Sequence, residues 1–206
     1  MTSASAVVGV VLAGGRSERM GGRDKRAALL GGRTLLDRAI ARAARQVDWL
    51  VVSANDDPPL PDDFAGATVP DAVAGFQGPL CGILSALAWV GANRPEARWL
   101  ATFACDTPFF PEDLVNRLRA GAERAAAQVA VAASGRRHHP VFSLWRTDID
   151  ADPVATIRDK GVRKVDDGIA LFSNIRVEFE APGADPFFNV NTADDLARAE
   201  ALMRLG

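Results

Sequence analysis

Four glycines, three arginines and one lysine fall within twelve residues near the start of the chain: Gly14-Gly15-Arg16-Ser17-Glu18-Arg19-Met20-Gly21-Gly22-Arg23-Asp24-Lys25. Glycine lets a backbone take positive φ and approach another group with no Cβ between. Successive N–H groups then form a concavity that holds anions. Arg19 adds a planar fork and Lys25 a mobile point charge. An ordinary strand-to-helix turn accounts for two such glycines. It does not account for four beside four cations, which repel one another unless an anion offsets them. The chemistry that suits this pattern is phosphate binding, and it points to a nucleotide.

Two better-known phosphate motifs are excluded. No Gly-x-Gly-x-x-Gly and no Gly-x4-Gly-Lys-Ser/Thr occurs here.

The carboxylates lie further along. Asp106 ends an otherwise apolar run, where it must be paired, hydrogen-bonded or metal-bound to offset desolvation. It reads either as a turn aspartate before Pro108 or as a Mg²⁺ ligand. A polyphosphate partner favours Mg²⁺, which takes one or two carboxylates together with phosphate oxygens and waters. Asp71 either bonds a base or ribose or closes a turn after Pro70. Asn55 either reads a base edge or makes an Asx turn. His138 and His139 are neighbours on an extended run, so they face opposite ways and do not share a metal. Structural roles are expected for both. Cys81 and Cys105 lack zinc-ligand spacing.

These residues need a scaffold. Residues 6–12 form a short β-branched run that reads as a buried strand before the loop. Further strands are expected over 49–53, 67–69, 99–104 and 129–133. Between them, helical spacing covers 35–45, residues 79 to about 90, and 111–127. Thr34 is an expected N-cap, and Pro79 suits a first helical turn. Such alternation predicts a parallel sheet covered on both faces. Ligands of these sheets sit beyond the carboxyl ends of the strands. The glycine loop, Asn55, Asp71 and Asp106 all follow expected strands and so converge at one edge.

The last third is less regular. Strands are expected at 140–145, 170–172 and 175–179, a helix at 151–159, and a short extended run at 187–191. A terminal helix starts after Thr192, with Asp194 and Asp195 favoured in its first turn. No repeat or linker divides the 206 residues, so one domain is expected.

Composition narrows the class. Hydrophobic residues are 48% of the chain, enough for a substantial core. Charge is nearly balanced, 24 basic against 26 acidic, which argues against a nucleic-acid partner. Two cysteines make no disulfide framework and suggest a reducing compartment. The N-terminal apolar run is far short of the ~20 residues of a membrane span. A cytoplasmic protein with no membrane partner is expected.

Taken together, several motifs resemble a known family. Leu12-Ala13-Gly14-Gly15, Arg19-Met20-Gly21-Gly22 and Asp24-Lys25 resemble the signature loop of the molybdenum cofactor guanylyltransferases, the MobA family of nucleotidyltransferases. Gly78-Pro79-Leu80-x-Gly82, Cys105-Asp106-Thr107-Pro108-Phe109, His139-Pro140-Val141 and Phe188-Asn189-Val190-Asn191-Thr192 follow in the family's order. The first loop alone sets only the superfamily of nucleotidyltransferases, and the later motifs narrow it.

The resemblance implies a Rossmann-like three-layer α/β/α fold with a mostly parallel central sheet. It implies Mg²⁺-dependent transfer of GMP from GTP to the terminal phosphate of Mo-molybdopterin, with release of pyrophosphate. Leu12, Ala13, Gly14, Gly15, Lys25, Asn55, Asp71 and Asp106 would then bind nucleotide, with Asp106 also on the metal. Ser53 stands where some members have Asn, which leaves a nucleotide contact there in question. Arg19 and Lys25 would hold the departing phosphates, and Asn189 and Asn191 are candidates for the pterin. Partners implied are proteins that deliver molybdopterin and those that mature molybdoenzymes. The competing readings are CTP transfer to molybdopterin, NTP transfer to a sugar phosphate, or a non-catalytic nucleotide-binding adaptor.

Overall fold

The first strand, β1 (Val7–Leu12), is buried along its whole length. β-branched residues fit a pleated, packed surface, and here both faces are packed. Val7 and Val11 meet one hydrophobic cluster, while Val8, Val10 and Leu12 meet another. The computed structural model describes residues 6–14, 24–71, 78–148, 155, 157, 159–180 and 183–204.

After β1 the described chain resumes with a 3-10 turn, Lys25–Ala27, and a hairpin of β2 (Leu29–Leu30) and β3 (Arg33–Thr34). Helix α1 (Leu35–Ala44) follows, with Thr34 Oγ1 accepting from the Asp37 N–H at 3.0 Å, the expected N-cap. Next come β4 (Trp49–Ser53), β5 (Ala67–Val69), α2 (Pro79–Asn93), β6 (Trp99–Ala104), α3 (Leu114–Ala125), β7 (Val129–Ser134) and β8 (Arg137–Arg146). A short helix α4 (Val165–Ile169), β9 (Asn174–Glu178) and α5 (Ala193–Met203) complete the described elements.

The sheet order is β5-β4-β1-β6-β8-β7-β9. All neighbouring pairs are parallel except the two that involve β8. The sheet is mostly parallel, as expected, and β8 is the strand that runs the other way. A two-residue turn reverses the chain between β7 and β8, and Gly135 takes φ 59° there. The expectation that β8 begins at Pro140 is corrected. Pairing with β7 shifts register across 140–142, where proline lacks a ladder donor. Thr102 compensates by donating from Oγ1 to the Val141 carbonyl at 2.5 Å.

Helices α1 and α3 cover one face through Leu36, Ile40, Leu114 and Leu118. α2 and α4 cover the other through Ile83, Leu84, Val165 and Ile169. Burying one such side chain is worth about 1.5–3 kcal/mol, against ~0–1 kcal/mol for an exposed ion pair. Packing therefore holds the three layers together. α5 lies to one side, with Ala199 and Leu196 against Leu30 and Leu35.

Other features also differ from the sequence reading. Residues 170–172 form a turn after α4, not a strand, and the Ala170 N–H bonds the Asp166 carbonyl at 3.0 Å. A short apolar run does not reveal its period, and Phe172 is buried beside Trp145 in either conformation. Residues 187–191 are irregular instead of extended, because the Phe188 N–H closes a turn on the Asp185 carbonyl. The 29–34 hairpin has no counterpart in the sequence reading. Within the expected 151–159 helix, the described residues Ala155, Ile157 and Asp159 are helical.

Candidate active site

Strand register builds the site. Leu12 pairs with Ser53 on one side and Ala104 on the other, so β1, β4 and β6 end at one level. The Ala13 N–H then bonds the Ser53 carbonyl at 2.9 Å, and the Cys105 N–H bonds the Leu12 carbonyl at 3.4 Å. Ala13-Gly14, Ala54-Asn55 and Cys105-Asp106 leave the sheet side by side. α2 starts against these same ends. A Cβ on Gly82 would stand 2.6 Å from Ser53 Oγ and 2.8 Å from Leu12 Cδ2. Ser53 is buried under this contact, at 2% exposure, and does not line the cleft.

The cleft above the strand ends has a volume of ≈ 620 Å³. Leu12, Ala13, Gly14, Lys25, Asp106, Asn189 and Asn191 line it, as do Arg137, His138 and His139 from β8. A second cleft of ≈ 550 Å³ lies beside Trp49, Phe64 and Trp89, towards the amino ends of β4 and β5. Ligands of such sheets bind at the carboxyl ends, which selects the first.

Lys25 and Asp106 meet in this cleft. Lys25 Nζ lies 2.5 Å from Asp106 Oδ2 and also donates to Asn191 Oδ1. Their side chains are 13% and 20% exposed, so the pair is only partly screened by water. The asparagine segment is fixed from three directions. The Val190 N–H bonds the Asp106 carbonyl at 2.8 Å, and Thr107 Oγ1 donates to Asn189 Oδ1 at 2.7 Å. The Asn191 N–H bonds Asp195 Oδ2 at 3.0 Å, within the capping box that starts α5. These hydrogen bonds hold the Asp195 carboxyl below its ordinary range.

Asn55 and Asp71 pair with each other. Asn55 Nδ2 donates to Asp71 Oδ2 at 2.7 Å, and the Asp71 N–H returns a bond to Asn55 Oδ1 at 2.8 Å. The pair joins the ends of β4 and β5. Among the described residues neither lines the ≈ 620 Å³ cleft. Gly15 and Arg19 lie outside the described residues.

The two histidines face opposite ways, as expected. His138 Nε2 lies 2.9 Å from Asp166 Oδ1. His139 is buried, 2.7 Å from Ser134 Oγ through Nε2, and stacks on Phe187 at 4.3 Å. Burial holds its pKa below the ordinary imidazole value, partly opposed by Asp185. Burial, helped by the Asp106 charge, pushes the Cys105 thiol up to about 12, so it is no nucleophile at neutral pH.

The sequence reading missed the buried Arg26, which reaches Asp24 and Asp56. No spacing rule links positions 26 and 56. It also missed Arg137 at the cleft, because the turn that carries it there belongs to an antiparallel hairpin.

Residues 9–171 match the profile of the MobA-like NTP transferase domain. The molybdenum cofactor guanylyltransferase of Rhodopseudomonas palustris (strain HaA2) is 45% identical over 193 residues, covering 94% of this chain and 90% of that protein. The crystal structure of molybdopterin-guanine dinucleotide biosynthesis protein A from Archaeoglobus fulgidus superposes with a TM-score of 0.73 at 21% identity, covering 97% and 100% of the two chains. Rv0371c from Mycobacterium tuberculosis, in complex with manganese, superposes with a TM-score of 0.64 at 18% identity, over 97% and 100%.

Fold and cleft thus define a class: a nucleotidyltransferase with the Rossmann-like α/β/α fold. Within that class the chain belongs to the molybdenum cofactor guanylyltransferase family and is an enzyme.

Proposed function

We propose that this enzyme transfers GMP from GTP to the terminal phosphate of Mo-molybdopterin, forming the guanine dinucleotide and pyrophosphate. One observation carries the assignment to the cleft: Lys25 and Asp106 share a contact at the common ends of β1 and β6. Two polyanions must meet, and the first requirement is charge neutralisation. The Lys25 ammonium and the amides of the glycine loop, with Arg19, supply it for the nucleotide phosphates. The acceptor phosphate is already ionised at neutral pH, so no general base is needed. Catalysis rests on positioning and preorganised charge. Asn189 and Asn191 are assigned to the pterin side, and Asn55 with Asp71, beyond the cleft lining at the ends of β4 and β5, to the nucleoside.

The donor set fits a divalent cation that brings most of its ligands with the substrate. Among the described residues no group of three or more His, Cys, Asp or Glu could hold a metal. Asp106 and the Asn191 amide oxygen are hard donors, which suits Mg²⁺ shared with phosphates. Bound there, Mg²⁺ would polarise phosphoryl oxygens. Asp106 would hold it, and the manganese complex of a protein with the same fold supports the need for a divalent cation. We assign all 206 residues to one nucleotidyltransferase domain in the cytoplasm. Among the described residues no helix is long and apolar enough to cross a membrane. Proteins that deliver molybdopterin and those that mature molybdoenzymes are its expected partners.

The test is an incubation with Mg²⁺, Mo-molybdopterin and either GTP or CTP. Formation of the guanine dinucleotide with pyrophosphate is expected, and preference for CTP would overturn the base assignment.

A further inference from the structure

Arg26 is 9% exposed, yet it carries a full charge beside the cleft. A guanidinium has five N–H donors in one planar fork. All five are engaged. Nε lies 2.9 Å from Asp24 Oδ1, and Nη2 lies 2.7 Å from Asp24 Oδ2. Nη1 and Nη2 lie 2.6 Å and 2.7 Å from the two oxygens of Asp56. Nη1 also lies 3.3 Å from the Ala13 carbonyl. No donor remains for a phosphate, so Arg26 differs in kind from Lys25.

Its partners have a particular arrangement. Ala13 precedes the glycine loop and Asp24 follows it, so one side chain closes the loop's two ends together. Asp56 adjoins Asn55, whose amide is paired with Asp71. The same fork therefore joins the turn that carries Lys25 to the exit of β4. A lysine cannot reproduce this, because a point charge on a flexible stem does not make two bidentate pairs in one plane.

We propose that Arg26 is a positioning residue for nucleotide transfer. It locks the mouth of the glycine loop to the β4 exit, so that Lys25 and the Asn55–Asp71 pair meet a nucleoside triphosphate from fixed positions. This rests on the nucleotidyltransferase reading above and adds a residue to it.

The experiment compares the unmodified enzyme with Arg26→Gln and Arg26→Lys. GTP binding is measured by calorimetry, and backbone hydrogen exchange is measured without nucleotide. The proposal expects GTP affinity to fall roughly 10- to 100-fold in both variants. KM for GTP rises while KM for molybdopterin stays unchanged. Exchange accelerates at residues 13, 25–28 and 54–56 and elsewhere keeps its protection. Unchanged exchange at those segments overturns the proposal. So does a uniform loss of protection with an unaltered KM for GTP, since that is a purely structural role. Should the unmodified protein bind no GTP, the function reading falls, while the exchange pattern still decides whether Arg26 locks the loop.

Discussion

The Lys25 ammonium rests 2.5 Å from the Asp106 carboxylate, across 81 residues of sequence. Parallel strands bring them together: Lys25 follows the loop after β1, and Asp106 follows β6, which pairs with β1 to its last residue. In a protein that must hold a polyphosphate, this pair keeps both charges in place before substrate arrives. Each partner offsets the desolvation that the other would suffer alone.

Removing the negative partner separates charge from shape. Asp106→Asn keeps the side-chain volume and should lower kcat/KM for GTP by about 10²–10³-fold, the scale of losing a main electrostatic group. Pyrophosphate release measures it. A near-normal rate would remove Asp106 from the chemistry.

Removing the positive partner tests the phosphate grip. Lys25→Met keeps the apolar stem and deletes the charge. GTP affinity measured by calorimetry should fall about 10-fold or more, the loss of one charge-assisted contact. Unchanged affinity would leave Lys25 as a partner of Asp106 only.

Most of the site's scaffold was legible in the residues. β4, β5 and β6 are short runs rich in β-branched and aromatic side chains with turn signals at their ends, and their limits match those expected. Thr34 and Thr192 announced the caps of α1 and α5. β8 was harder, because nothing in a strand's own pattern states its direction. α4 has no counterpart in the sequence reading, because Asp166, Asp167 and Gly168 leave a five-residue helix too little apolar spacing to announce it. The Arg26–Asp56 contact depends on two loops folding towards each other, which no local pattern encodes.

Gly82 sets how closely α2 approaches the strand ends. Gly82→Val forces side-chain atoms into Ser53 and Leu12. Overpacking of this kind costs about 1–3 kcal/mol. For a chain of this length the thermal midpoint should fall about 2–4 °C per kcal/mol. Ser53→Gly in the same chain should recover part of that loss, because Ser53 Oγ is the nearest atom. An additive double variant would contradict the packing assignment.

His139 predicts an acid-side slope in stability. Its folded pKa lies below the ordinary 6.5, chiefly through burial. The unfolded chain therefore binds the proton first, and the contribution is complete above 6.5 and lost as pH falls below it. The unfolding midpoint should drop as pH falls below about 6.5, and His139→Gln should flatten that limb. Asp185, Arg137 and His138 also act on the ring, Asp185 against the shift and the other two with it. An unaltered slope in the variant would show that the ring's burial is not felt.

The central claim is that the cleft holding Lys25 and Asp106 moves a GMP unit. The direct measurement uses GTP labelled at its α-phosphorus, incubated with Mg²⁺ and Mo-molybdopterin. The label is predicted to appear in the guanine dinucleotide with the unmodified enzyme and to remain in GTP with Asp106→Asn. Label that stays in GTP with the unmodified enzyme, or transfers equally well with the variant, would contradict the account.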